Sequence, residues 1–288
     1  MSELNITTVG VVGAGTMGSG IAELAASAGK NVILLDIEKS IVQAAVVRIE
    51  KNLRRLSRRG KIEKEQVDRA LSSIYPTEEY GDFRSVDIVI EAASEDMELK
   101  KAIFSRVEEN TPEGVIIATN TSTLSVTELA MSTSRSERVI GIHFFNPAPI
   151  MKLVEVINTA KTSPATLERV MEFAKSLDKY PVVTKDRTGF VVNRILLPMI
   201  NEAVFVLDEG VATAAEIDNA MKLGANHPIG PLALADLLGL DITLSVLEVL
   251  YAEYGDPKFR PAPLLREVVR SGNLGRKTGK GFFEYARS

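Results

Sequence analysis

Residues 9–18, Val-Gly-Val-Val-Gly-Ala-Gly-Thr-Met-Gly, constrain the fold more than any other stretch of this chain. A run of β-formers breaks at glycine and gives way to the helical pattern of residues 16–28, which closes on Gly29. A second β-rich run, residues 31–36, follows at once and ends in Asp36. Gly13 permits a tight turn, Gly15 lets a pyrophosphate approach the backbone, and Gly18 lets the helix pack against the strand. Asp36, about twenty residues further on, is placed to bind both hydroxyls of a ribose. Gly13, Ala14, Gly15, Thr16, Met17, Gly18 and Asp36 therefore read as a dinucleotide site, against the plainer alternative of an ordinary glycine turn with a surface acid. Asp36 repels a 2′-phosphate and so favours NAD, while the positive charge of Lys39 nearby leaves NADP open.

The alternation continues through a charged helix over residues 39–59, a strand over 86–93, a helix over 97–110 and a strand over 115–122. Near-continuous apolar strands separated by helices predict an α/β fold: a Rossmann-like, doubly wound parallel sheet with helices on both faces and a ligand crevice at the strands' carboxyl ends. Asp36, Glu91, Asn120, Ser122 and His143 all fall near such ends. After residues 181–186 the texture changes, and 191–209, 214–223 and 232–254 are helix-length with no further strand alternation. The expected organisation is a dinucleotide-binding domain over residues 1–186 and a smaller all-α domain over 187–288, whose apolar helices suit a homodimer.

Composition narrows the function. The 288 residues are 45% hydrophobic and 25% charged, enough for sizeable cores, and the net charge of −4 argues against nucleic acid as the main partner. Without cysteine there is no disulfide, thiolate nucleophile or thiolate metal ligand, and two distant histidines offer little metal-ligand spacing. The opening residues, Met-Ser-Glu-Leu-Asn, lack a basic leader and no stretch approaches a membrane span, so a cytoplasmic protein without a membrane partner is expected.

His143 ends one apolar strand, and Glu155 stands on a second after the chain has doubled back. A carboxylate on one imidazole nitrogen fixes the tautomer and leaves the other nitrogen to act as a general base. A lone histidine is by default a core residue, but Glu155 alternates with Leu153, Val154, Val156 and Ile157 in a run too apolar for an unpaired acid. Ser122 is placed to donate to a substrate oxygen, with a helix N-cap an equal alternative. Asn193 opens the helical domain and serves either substrate or helix packing. Arg48, Lys51, Arg55, Arg58 and Arg59 recur along one helix, which by itself is an ordinary solvated face, as are Lys61, Glu63, Lys64 and Glu65. His227, in a connection punctuated by glycine and proline, reads as structural.

Taken together, Gly-Ala-Gly-Thr-Met-Gly-Ser-Gly-Ile-Ala, Asn-Thr-Ser, His-Phe-Phe-Asn-Pro-Ala-Pro, Lys-Leu-Val-Glu-Val and Gly-Phe-Val-Val-Asn-Arg resemble the L-3-hydroxyacyl-CoA dehydrogenase family nearly end to end. The resemblance implies reversible, NAD-dependent oxidation of an (S)-3-hydroxyacyl-CoA to the 3-oxoacyl-CoA by a dimer joined through its helical domain; likeness to the compact bacterial members adds a four-carbon acyl chain. By position it makes His143 the base, Glu155 its orienting partner, and Ser122 and Asn193 the groups holding substrate oxygens. It adds Glu95, Lys100, Asn146 and Lys277 to the NAD site and brings Asn52, Arg55 and Arg59 toward coenzyme A phosphates. Relatives commonly carry lysine at the last two positions, so arginine keeps the charge but changes the contact geometry. Two rivals remain: a hydroxyacid or sugar-acid dehydrogenase that uses the same histidine and glutamate without coenzyme A, and a non-catalytic NAD-binding protein that retains the fold.

Overall fold

The first glycines turn a strand into a helix in the computed structural model of the chain, which describes residues 5–286. The leader reading over residues 1–4, and the outermost residues of both expected domains, lie outside the described residues. Two units divide the chain after Arg187. The first runs β1 (Thr8–Val12), α1 (Thr16–Ser27), β2 (Asn31–Leu35), α2 (Lys39–Arg58), α3 (Lys64–Ser72), β3 (Ile74–Thr77), β4 (Ile88–Glu91), α4 (Met97–Asn110), β5 (Ile116–Thr119), α5 (Val126–Met131), β6 (Val139–Phe144), β7 (Leu153–Asn158), α6 (Pro164–Ser176) and β8 (Tyr180–Lys185).

These strands form a sheet in the order β3-β2-β1-β4-β5-β6-β7-β8. Strand order reverses between β1 and β4, the switch point where such sheets open a crevice at their carboxyl ends. Neighbours from β3 to β6 are parallel, as expected, and β7 runs antiparallel to β6, in keeping with the doubling back of the chain between His143 and Glu155. The connection over residues 145–152 is shorter than the dozen or so residues that a parallel crossover needs, and the chain folds back on itself. β8 then pairs parallel with β7. Strands β4, β5 and β6 are buried at every residue, which is why they read as unbroken apolar runs. Helix α2 buries Val42, Ala45, Ile49 and Leu53, one stripe at helical spacing, and leaves its basic residues to the other side.

The second unit comprises α7 (Val192–Asp208), α8 (Ala214–Gly224), α9 (Pro231–Leu238), α10 (Leu240–Tyr254) and α11 (Pro263–Arg270) around Leu197, Ile200, Val204, Leu232, Leu247, Leu250, Phe259 and Leu265. The single helix expected over 232–254 is two, because Gly239, at φ 103°, leaves the helical region. Buried Asp236 accepts hydrogen bonds from the Phe282 and Phe283 amides (3.0 and 2.9 Å) and the Tyr285 hydroxyl (2.9 Å), fastening the last described segment to α9. Burial and the nearby Asp236 carboxylate push the Tyr285 phenol up to about 12. No helix among the described residues is long and apolar enough to cross a membrane.

Candidate active site

At the switch point the glycine turn meets β4. Gly13 has a φ of 97°, and a Cβ there would lie 2.8 Å from the Ala92 carbonyl oxygen and 2.9 Å from the Ala93 nitrogen. Beside Gly15 nothing stands within 4 Å of where a Cβ would be. One glycine is thus demanded by packing against the protein, and another faces the open space that a pyrophosphate needs at a helix N-terminus. The Asp36 carboxylate accepts from the Ala14 amide (2.6 Å) and the Ile37 amide (2.8 Å), which holds it beside the turn. A cleft of about 770 Å³ opens here, lined by Thr16, Met17, Asp36, Ile37, Ile41 and Tyr80 among others. An anion cradle, a ribose acceptor and an apolar slot fit a dinucleotide. Arg48, grouped with the basic residues of α2 in the sequence, instead donates to the Ala14 and Gly15 carbonyls (2.9 and 3.3 Å) and to Ser19 Oγ, securing the turn from behind.

Along the same edge, the antiparallel pairing of β6 with β7 sets His143 directly opposite Glu155, on one face of the sheet. His143 Nδ1 lies 2.9 Å from Glu155 Oε2, and its Nε2 lies 3.1 Å from Ser122 Oγ. Both members of the pair are buried, at 5% and 1% exposure, and Phe145 packs on the imidazole with ring centroids 4.6 Å apart. An ionised carboxylate only accepts, so Nδ1 carries the proton and Nε2 is the nitrogen left to accept one. Asn120 Oδ1 receives the Phe144 amide at 2.9 Å and ties the end of β5 to that of β6. Asn146 is exposed in the following loop, which buried Lys179 braces by donating to the Ala148 and Met151 carbonyls, both at 2.7 Å. Burial, reinforced by the nearby Lys152 charge, pulls the Lys179 ammonium below the usual lysine range.

Glu95 and Lys100, both expected at the cofactor, are tied into the protein by contacts of their own. Glu95 Oε1 accepts from the Thr121 hydroxyl and the Ser122 and Thr123 amides at 2.7, 2.8 and 3.0 Å. Burial raises its carboxyl, but the Lys100 charge and these hydrogen bonds outweigh it and hold the group below the ordinary glutamate range. Lys100 is only 1% exposed, and its ammonium is bound to both oxygens of Glu91 at 2.7 and 2.8 Å. A buried ammonium needs a carboxylate, and Glu91 supplies it.

Arg55 on α2 and Arg59 just past its end are exposed, while the Asn52 amide donates to Glu23 Oε2 at 3.1 Å. Glu23 is 4% exposed, and burial raises its carboxyl against the opposing effects of Asn52 and Arg55. A carboxyl raised on folding contributes its stability below the unfolded pKa and loses it as pH rises through the folded value. Glu23→Gln is therefore expected to raise Tm at about pH 7 and to change it little near about pH 4, where the unfolded chain also carries the proton. Thermal melts at the two pH values decide this, and an equal shift at both refutes it.

In the helical unit, Asn193 is half-buried in the first turn of α7. Lys277 pairs with Asp241 at 2.6 Å and remains partly exposed. His227 lies in the connection after α8, where its amide bonds to the Met221 carbonyl at 3.2 Å.

Comparison with known proteins gives this edge a lineage. The family model described as 3-hydroxyacyl-CoA dehydrogenase, NAD binding domain, matches residues 8–187, and the one described as its C-terminal domain matches 189–285. The chain belongs to the 3-hydroxyacyl-CoA dehydrogenase family. It is 50% identical over 275 residues to the 3-hydroxybutyryl-CoA dehydrogenase of Clostridioides difficile, covering 96% of this chain and 98% of that one. A probable 3-hydroxybutyryl-CoA dehydrogenase of Bacillus subtilis is 47% identical, with 98% of each chain covered. The crystal structure of (S)-3-hydroxybutyryl-CoA dehydrogenase from Ralstonia eutropha superimposes with a TM-score of 0.95 at 52% identity, covering 98% of this chain and 100% of that one.

Of the expected residues in the first unit of this 3-hydroxyacyl-CoA dehydrogenase family member, the structure brings Ser122, His143 and Glu155 together and sets the glycine turn beside Asp36. Sequence reasoning missed three supports: Arg48 behind the turn, Lys179 under the Asn146 loop, and Glu91 beneath Lys100. Glu91 alone had a signal, an acid closing an otherwise apolar strand, which requires a buried partner.

Proposed function

We propose that this chain catalyses the reversible, NAD-dependent oxidation of an (S)-3-hydroxyacyl-CoA, with 3-hydroxybutyryl-CoA as its substrate, to the 3-oxoacyl-CoA. The observation that carries this reading is the imidazole with Glu155 on one nitrogen and Ser122 on the other, on the sheet edge that also bears the glycine turn. When bound, NAD supplies the acceptor for the C3 hydride. His143 Nε2 takes the hydroxyl proton in oxidation and returns it in reduction, and Glu155 offsets the positive charge that the ring gains. Ser122 Oγ, already at Nε2, holds the substrate oxygen there, and Asn193 supplies a further amide. Gly13, Ala14, Gly15, Thr16, Met17 and Gly18 receive the pyrophosphate and Asp36 the ribose, with Glu95, Lys100, Asn146 and Lys277 bordering the cofactor. In this reading residues 1–186 form the NAD-binding domain and 187–288 the substrate and dimerisation domain, a boundary one residue from the division between the two units.

Loss of NADH absorbance with acetoacetyl-CoA, compared with free acetoacetate and a sugar acid, tests the reaction. Turnover of the free acids alone favours the coenzyme-A-free alternative, and no turnover of any of them favours a non-catalytic binder. Exposed Arg55 and Arg59, with Asn52, form the contact for coenzyme A phosphates. Arg59→Glu is accordingly expected to raise KM for acetoacetyl-CoA by about tenfold with kcat preserved, the size of one lost charged contact. An unchanged KM in steady-state kinetics removes Arg59 from the site. Exposed Val211, Leu223 and Ile242 of the helical unit suit a homodimer, which sedimentation equilibrium distinguishes from a monomer. A cytoplasmic location, where NAD and acyl-CoA thioesters meet, goes with this reading and is open to cell fractionation.

A further inference from the structure

A buried ion pair lies within the sheet edge, and no step of the proposed reaction uses it. Glu91, fully buried at the end of β4, has every direction of its carboxylate engaged. Oε1 accepts from the Ala93 amide at 2.6 Å and from Lys100 Nζ at 2.7 Å, while Oε2 accepts from Thr119 Oγ1 at 2.7 Å and from Lys100 Nζ at 2.8 Å. Burying such a pair costs desolvation that two apolar side chains of similar shape would avoid, so stability alone is a weak reason for it. Its placement supplies another. The Lys100 ammonium also lies 3.6 Å from Glu95 Oε2. The other oxygen of Glu95 gathers the Thr121 and Thr123 hydroxyls and the Ser122 and Thr123 amides. Glu95 comes from a loop and is partly exposed, and the Lys100 charge is the strongest of the influences that keep its carboxylate ionised, the form that accepts all four donors. Thr119 braces the same turn from below, since its hydroxyl oxygen accepts the Thr121 amide at 3.3 Å. The turn ends at Ser122, whose hydroxyl meets His143 Nε2 at 3.1 Å.

We propose that Glu91 is a positioning residue: by fixing the Lys100 ammonium it holds Glu95 as the acceptor of the 121–123 turn and so keeps Ser122 Oγ against His143 Nε2. The catalytic consequence rests on the reading of His143 as the base, whereas the positional one rests on contacts within the first unit. Glu91 touches neither substrate nor cofactor in this scheme; it acts through Lys100, Glu95 and Thr119.

The test uses the full chain with Glu91→Gln and Lys100→Met combined, which removes both charges without stranding either, keeps an amide oxygen for the Ala93 amide and turns the side-chain NH2 toward the Thr119 hydroxyl, which can accept it. With only two histidines in the chain, imidazole ¹⁵N NMR follows His143 with His227 as an internal control. Ser122→Ala supplies the reference signal for a base without its hydroxyl. The double variant is expected to melt cooperatively and to move the His143 Nε2 signal toward that reference, with His227 unmoved. Its kcat for acetoacetyl-CoA reduction at saturating NADH should fall about 10- to 100-fold, the scale of a misplaced catalytic contact. Glu95→Gln, which leaves the buried pair intact, should displace the same signal. An unchanged Nε2 signal in a cooperatively melting double variant overturns the proposal, as does loss of folding in the double variant alongside an unmoved signal in Glu95→Gln. Failure of the unaltered chain to turn over acetoacetyl-CoA rejects the assigned reaction instead, and the NMR comparison still decides the positioning.

Discussion

Turnover of 3-hydroxybutyryl-CoA by a His143→Ala enzyme is expected to fall about 10²- to 10⁴-fold, roughly 3–5 kcal/mol of barrier, the usual contribution of a positioned general base. Affinity for NADH, measured by its fluorescence, should change little, because Ala14, Asp36 and Gly15 form their cradle at the other end of the switch point. Glu155→Gln should fall in the same direction by a smaller factor, since an amide still occupies the space but no longer offsets the imidazolium charge. It should also leave the melting transition in place, as Glu155 is buried among the apolar residues of β7 and the substitution removes a charge rather than volume. If turnover in the alanine enzyme stays within tenfold of the unaltered one, the base lies elsewhere.

The second large effect concerns the glycine turn. A Cβ on Gly18 would sit 1.7 Å from the Gly13 carbonyl oxygen, and no side-chain adjustment relieves a clash with backbone. Gly18→Ala must therefore push α1 off β1, costing roughly 1–3 kcal/mol in stability and weakening NADH binding by about tenfold or more as the turn is displaced. Gly15→Ala should behave differently. Nothing within 4 Å opposes a Cβ there, and a φ of −66° suits any residue, so the melting temperature should hold while NADH affinity is lost to the methyl group in the pyrophosphate's space. Melts and NADH titrations of the two variants separate packing from ligand clearance. A Gly18→Ala protein with unaltered Tm and NADH affinity defeats this account.

Much of the first unit was legible because its determinants are local. The glycine spacing, the apolar strands and the switch to helical periodicity after residue 186 each depend on a residue's own backbone preferences or on neighbours one turn away. Glu155 was legible as buried because it stands among Leu153, Val154 and Val156, and His143 followed as its partner because a short connection must return the chain. The reading failed where local pattern and tertiary need diverge. Lys61, Glu63, Lys64 and Glu65 are exposed as expected, yet this stretch also launches α3, through a capping box between Glu63 and Gln66 that a purely solvated face concealed. The stretch 232–254 is rich in apolar residues on both sides of Gly239, so helical periodicity passed across it without registering the break.

By itself the sequence determined the α/β architecture, the glycine turn between strand and helix, and the pairing of an imidazole with a carboxylate, because chain conformation and short-range burial decide all three. Only the tertiary structure decided which carboxylate claims Lys100, what Arg48 grips, and why Asn52 faces Glu23. Those pairings join residues brought together by the docking of helices on the sheet. A long charged side chain reaches several partners at similar sequence cost, and the one it takes is set by where burial leaves it without water.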